Sequence, residues 1–114
     1  MDKKITGIMG EEVACSFLLN RGYRILERNF FSKYGEIDII AYKKCIVIFV
    51  EVKTRKNDYY SYASQSINNK KIRNIKLTSQ VYLFSNNLFN YDYRYDVIEC
   101  YWKDKKIIHI KDAF

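Results

Sequence analysis

Apolar residues recur every three or four positions in two stretches of the chain and alternate with polar ones through most of the rest. In the first stretch Met9, Val13 and Phe17 are spaced by four, and Ala14 and Leu18 widen the stripe. That spacing predicts a helix over 6–21, with Gly22 as the residue that ends it. Alternation then takes over. Tyr23, Ile25 and the Phe30-Phe31 pair mark a strand over 23–31, and Lys33-Tyr34-Gly35 a turn. A second strand is expected over 36–42, a turn at Lys43-Lys44, and a third strand over 45–53. The third is almost continuously apolar, as a central strand covered on both faces would be. Residues 54–66 lack apolar periodicity and read as a mobile loop. Ile72, Ile75, Ser79, Tyr82 and Leu83 share one face of a second helix over 67–85, which Asn86-Asn87 breaks. Strands follow over 93–102 and 106–110. The order α-β-β-β-α-β-β predicts an α/β (or α+β) protein with one mixed sheet flanked by helices.

Length and composition narrow the class. A chain of 114 residues is expected to form a single domain, 1–114. With 48% hydrophobic and 29% charged residues, wholesale disorder is excluded. Cys15, Cys45 and Cys100 are odd in number and lack C-x-x-C spacing, so they read as small buried apolar residues of a reducing compartment. No apolar run is long enough to span a bilayer. The start of the chain, with Glu11 and Glu12, is unlike a secretory leader, so a cytoplasmic location is expected. The net charge of +7 calls for an acidic partner, of which nucleic acid is the commonest. Almost half the residues are Lys, Asn, Ile, Tyr or Phe, a drift that an AT-rich genome would produce, so positions say more than totals.

The informative positions are charges set inside apolar strands. Asp38 lies between Ile37 and Ile39, and Glu51 between Val50 and Val52, with Lys53 next. Side chains alternate along a strand, so Glu51 and Lys53 share a face, as do Glu36 and Asp38. A tight turn would pair the second and third strands antiparallel, which lets Asp38 and Glu51 sit side by side. Burying such groups alone would cost several kcal/mol each, on the order of the penalty for an isolated buried ion. One acid beside Lys53 is explained by a buried ion pair. Two acids converging on one lysine suit a hard divalent cation, which takes oxygen ligands and assists phosphate chemistry.

Asp38-x12-Glu51-x-Lys53 on a hairpin, after a helix carrying Glu11, resembles the PD-(D/E)xK nuclease superfamily. Further residues sharpen the likeness: Gly7-x-x-Gly10-Glu11-x-x-Ala14 with Leu18, Gly22-Tyr23, Arg28-Asn29, Gly35-Glu36-Ile37-Asp38-Ile39-Ile40, Phe49-Val50-Glu51-Val52-Lys53-Thr54-Arg55, Lys71, Tyr82-Leu83, Arg94-Tyr95-Asp96-Val97 and Ile110-Lys111-Asp112-Ala113-Phe114. Together they resemble the YraN-like uncharacterised protein family, itself similar to Holliday junction resolvases. Ser79 departs from the family's usual small alanine. The resemblance implies a restriction-endonuclease-like fold and hydrolysis of phosphodiester bonds in DNA, branched or junction DNA among the candidates. It implies Mg²⁺ or Mn²⁺ held by Asp38 and Glu51, Lys53 as the catalytic lysine and Glu11 as the helix-borne acid. Resolvases of the superfamily are dimers, which leaves a homodimer open.

The basic residues point the same way without the resemblance. Residues 53–76 hold Lys53, Arg55, Lys56, Lys70, Lys71, Arg73 and Lys76 against Asp58 alone, with Tyr59, Tyr60 and Tyr62 between them. Such a segment suits phosphates and exposed bases. Arg55, Lys56 and Lys71 are the expected nucleic-acid contacts. Helical geometry puts Lys71 at the edge of the apolar stripe, able to reach a cleft, and turns Lys70 away. Glu11 falls on the border of the first helix's buried stripe, Glu12 outside it. Asp96 and Glu99 are expected to face solvent or Arg94, and His109 to be structural. Two rivals stay open: a non-catalytic nucleic-acid-binding protein that keeps a nuclease fold, and an interaction module whose charges form a buried network.

Overall fold

The apolar run that begins at Ile46 becomes the middle of a sheet. The computed structural model of the protein describes residues 3–55 and 67–114. Helix α1 (Lys3–Asn20) leads into strands β1 (Arg24–Ser32), β2 (Gly35–Lys43) and β3 (Ile46–Arg55). Helix α2 (Asn69–Ser85), β4 (Asp92–Tyr101) and β5 (Lys106–Ile110) follow. The strands lie in the order β1-β2-β3-β4-β5. All neighbours are antiparallel except β3 and β4, which run parallel from Ile46↔Asp92 to Arg55↔Tyr101. A parallel pair needs a crossover, and α2 lies within it. The expected order of elements and mixed sheet are therefore present, with bounds shifted by up to three residues.

Local chemistry explains the ends of these elements. After α1, Tyr23 N–H donates to Leu18 O and Gly22 N–H to Leu19 O, with Gly22 at φ +86°. This is the paired C-terminal cap that favours glycine. At the start of α2 the Asn68 side chain accepts from Lys71 N–H at 2.8 Å. The β2–β3 hairpin turns on Lys44 and Cys45, both left-handed at φ 51° and 66°. The turn therefore sits one residue later than expected and leaves Cys45 exposed, while Cys15 and Cys100 are buried.

Each helix covers one face of the sheet. Ala14, Cys15 and Leu18 of α1 pack on Ile39, Ala41, Ile48, Val50, Ile98 and Cys100. Ile75, Tyr82 and Leu83 of α2 pack on Ile37, Ile40, Val47, Phe49 and Tyr95. Met9, at the end of the expected stripe, is exposed, and Gly10 is buried in its stead. A Cβ built on Gly10 would stand 2.5 Å from Thr54 Oγ1, so the missing side chain lets α1 lie close on β3.

Both faces of β4 are covered, which corrects the expectation of solvent exposure for Asp96 and Glu99, although Asp96 does face Arg94 as the alternative had it. They are buried, at 0% and 2% exposure. Asp96 accepts from Arg94 at 2.8 and 3.0 Å and from Asp112 N–H at 3.0 Å, and His109 Nε2 lies 2.7 Å away. Burial alone would raise the Asp96 carboxyl, but the hydrogen bonds with His109, Arg94 and Asp112 hold it below the usual range. The group ties β5 and the residues after it to β4. Glu99 accepts from Tyr101 O–H at 3.2 Å and lies 3.7 Å from Arg55. Thr54 and Arg55, expected to open the loop over 54–66, belong to β3, and the rest of that segment, with Lys56, Asp58, Tyr59, Tyr60 and Tyr62, lies outside the described residues. Among the described residues no helix is long and apolar enough to cross a membrane.

Candidate functional site

The candidate site forms where β2 parts from β3. Ladder pairing runs from Lys43↔Ile46 to Ile39↔Val50 and stops there. Beyond that point Asp38 Oδ2 accepts from Val52 N–H at 2.8 Å, so a side chain takes the place of a ladder carbonyl. The alternation slips at the same residue. Ile39 packs under α1, whereas Ile37, two residues away, packs under α2. The carboxyl of Asp38 is thereby set at the opening between the two strands.

Glu51, which would be the next partner in register, meets it there. The two carboxyl groups are hydrogen-bonded to each other. Burial first, then the hydrogen bond and the negative charge of Glu51, push Asp38 up to about 9. Burial would raise Glu51 too, but the Asp38 hydrogen bond and the Lys71 ammonium outweigh it and hold Glu51 below its ordinary value. At neutral pH the pair thus holds one proton between its two carboxyl groups.

Two lysines flank the pair. Lys71 Nζ of α2 is 2.8 Å from Glu51 Oε2 and answers its charge. Lys53 lies two residues after Glu51 on the same strand face. Burial, aided by the Lys71 and Arg55 cations and opposed by Glu51, lowers its ammonium from the usual lysine range. The site opens into a cleft of about 310 Å³ lined by Glu36, Asp38, Glu51, Lys70, Lys71 and Asn74, among others. Lys70, expected to turn away, stands at its rim. Glu36 was assigned no role from the sequence, although it shares a strand face with Asp38, and that spacing was the signal for it.

Glu11 approaches from the opposite face of the sheet, on α1. Its side chain is 19% exposed against 64% for Glu12, as the helical register requires. Arg28 pairs with Glu12 at 2.8 Å and stands 3.9 Å from Glu11, which also hydrogen-bonds Asn29. Burial raises the Glu11 carboxyl, and the charges of Glu36 and Glu51 add to this. Glu11 is therefore within electrostatic reach of the pair but held by β1. Arg55 is mostly buried and turned to Glu99.

The donor set has a definite chemistry. Among the described residues no group of three or more His, Cys, Asp or Glu side chains is arranged to hold a metal ion. Two carboxylates remain, Asp38 and Glu51, side by side at the mouth of the cleft. They fit Mg²⁺, which binds through one or two carboxylates and keeps several waters. They fit a softer, nitrogen- or sulfur-seeking ion poorly.

Comparison with known sequences adds the following. A model of the family described as "Uncharacterised protein family UPF0102" matches residues 10–100. A UPF0102 protein of Clostridioides difficile (strain 630) is 46% identical over 114 residues, all of both chains. One from Alkaliphilus metalliredigens is 42% identical over 112 residues, 97% of this chain and 98% of the relative. One from Persephonella marina is 44% identical over 110 residues, 96% of this chain and 93% of the relative.

Proposed function

The chain belongs to the uncharacterised protein family UPF0102, and from that premise we propose that it is a divalent-metal-dependent nuclease of restriction-endonuclease-like fold, related to the PD-(D/E)xK superfamily and acting on DNA. One observation carries the reading: Asp38, Glu51 and Lys71 line one open cleft where two strands part, with Lys53 in electrostatic reach of Glu51 and Lys71. Asp38 and Glu51 would hold Mg²⁺ or Mn²⁺. When bound, the ion supplies an activated water and neutralises charge on the phosphate. Lys53, two residues after Glu51 on the same strand face, would orient the attacking water or offset charge growing on phosphorus. One P–O bond forms to that water and one breaks to the leaving oxygen. Lys71, which balances Glu51, would be available to the phosphate if a cation took over that charge. Glu11 completes the negative field from the other face.

A second reading has an observation of its own. The shared proton and the Lys71 contact already satisfy the pair's charge without an ion. That would suit a nucleic-acid-binding protein with no turnover. A panel of duplex, single-stranded, flap and branched DNA with Mg²⁺ or Mn²⁺ separates the two. The nuclease reading requires cation-dependent cutting of at least one substrate, lost in Glu51→Gln and in Lys53→Met. Binding without cutting supports the second reading.

A further inference from the structure

Helix α2 places its charge where the helix itself gains nothing from it. Lys70, Lys71, Arg73 and Lys76 lie in its first half, and Asn69–Ser85 contains no acid. Cations near a helix N-terminus oppose the macrodipole. Such a conflict between local stability and sequence marks function more often than fold. Lys71 answers Glu51. Lys70, Arg73 and Lys76 are spaced by three and form a ridge, with neighbours about 5–6 Å apart.

The ridge divides two hollows. On one side is the acidic cleft. On the other, between α2 and β4, is a groove of about 660 Å³ whose walls include Arg73, Lys76, Leu77, Tyr93 and Phe114. Its floor is aromatic. Phe114 stacks on Tyr95 at 5.3 Å and 18°, and Tyr93 meets Tyr95 edge-on at 5.9 Å. Tyr95 is fixed by its hydroxyl, 2.7 Å from Ser79 Oγ. Tyr93 stays 45% exposed. The charge of Arg94 is met by Asp96, and Asp112 is the acid on the groove wall.

We infer that this groove receives a single-stranded segment of nucleic acid, its phosphates along the Lys70–Arg73–Lys76 ridge and its bases against Tyr93 and Phe114. The inference rests on the nuclease reading, since the strand reaches the groove from the acidic cleft across α2. Cations beside exposed ring faces suit unpaired bases, whereas a duplex hides its base faces.

The test is fluorescence anisotropy with labelled oligothymidylate, and with a duplex of equal length, in EDTA. Arg73→Ala with Lys76→Ala, both exposed positions, should weaken oligothymidylate binding at least tenfold. The slope of log affinity against log salt should flatten by about 0.7 for each lost phosphate contact. Tyr93→Leu keeps apolar volume but removes the stacking face. It should weaken oligothymidylate at least fivefold and the duplex less than twofold. Wild-type affinity in these variants, or an equal loss for duplex, overturns the groove and leaves the nuclease reading standing. So does displacement by polyglutamate as effective as displacement by unlabelled oligothymidylate. Loss of binding in the variants of a protein that cuts no substrate would instead retain the groove and remove the nuclease.

Discussion

Asp38 and Glu51 meet at the first register position that the β2–β3 ladder leaves unpaired. Two acids on adjoining strands thus share a proton in the place where a cation would sit. Asp38 also keeps Val52 N–H satisfied, so the opening between the strands costs no buried donor.

That proton gives stability a definite pH slope. Asp38 moves from 3.8 to about 9 on folding. Between those values the native chain binds a proton that the unfolded chain has lost, so stability falls as pH rises. Glu51 is lowered and acts in the opposite sense, only at acid pH below its ordinary 4.5. In EDTA the urea midpoint should therefore fall between about pH 5.5 and about pH 8.5. Asp38→Asn preserves a donor for Glu51 and an acceptor for Val52, so its midpoint should fall clearly less. Parallel pH profiles for the two proteins would contradict the shared proton.

Lys71 separates charge balance from catalysis. Lys71→Met leaves Glu51 without its ammonium partner. A divalent cation should then raise the melting temperature of the variant at least as much as that of the native chain, by mass action on the folded state. Any DNA cutting should drop at least tenfold. A thermal shift by the cation that vanishes with Lys71 would mean that the lysine, and not the carboxylates, organises the ion.

Glu11 and Glu12 offer a matched pair of adjacent acids. Glu11→Gln should weaken metal binding or cutting at least tenfold, about 1.4 kcal/mol. Glu12→Gln, whose partner Arg28 lies outside the cleft, should change either by less than about twofold. Equal effects, or a larger one at Glu12, would remove Glu11 from the site.

Gly10 tests how closely α1 must lie. Glycine to alanine inside a helix ordinarily stabilises by roughly 0.5–1 kcal/mol. Here the new Cβ would meet Thr54 Oγ1 at 2.5 Å. Gly10→Ala should instead destabilise by about 1–3 kcal/mol in urea titration, as overpacking does. Adding Thr54→Ala should recover most of the loss; no recovery would place the strain elsewhere.

Much of this arrangement was legible in the sequence because the charges interrupt strongly apolar strands. Glu51-x-Lys53 stands out within the β3 run, and a short hairpin brings Asp38 opposite Glu51. The slip at Asp38 was not legible, since Glu36-Ile37-Asp38-Ile39 reads as regular alternation and only packing shows Ile37 and Ile39 on opposite faces. The pairing of Asp96 with Arg94 was legible, but the burial of Asp96 and Glu99 was not legible from alternation, which suggests one wet face. β4 is an interior strand covered by both helices, and its Tyr95–Tyr101 run carries as few charges as β3, which was the signal for burial. Ser79, placed by the sequence on the packed face of the second helix, also bonds the Tyr95 hydroxyl, a contact between elements that no local pattern encodes.

The central claim is that Asp38 and Glu51 are the ligands of a divalent cation. Calorimetric titration of the native chain with Mn²⁺, beside Asp38→Asn and Glu51→Gln, tests it most directly. The account predicts one ion per native chain, bound with release of the shared proton and more tightly as pH rises toward 9, and no binding in either variant. Absence of binding in the native chain, or binding that survives both substitutions, would contradict it.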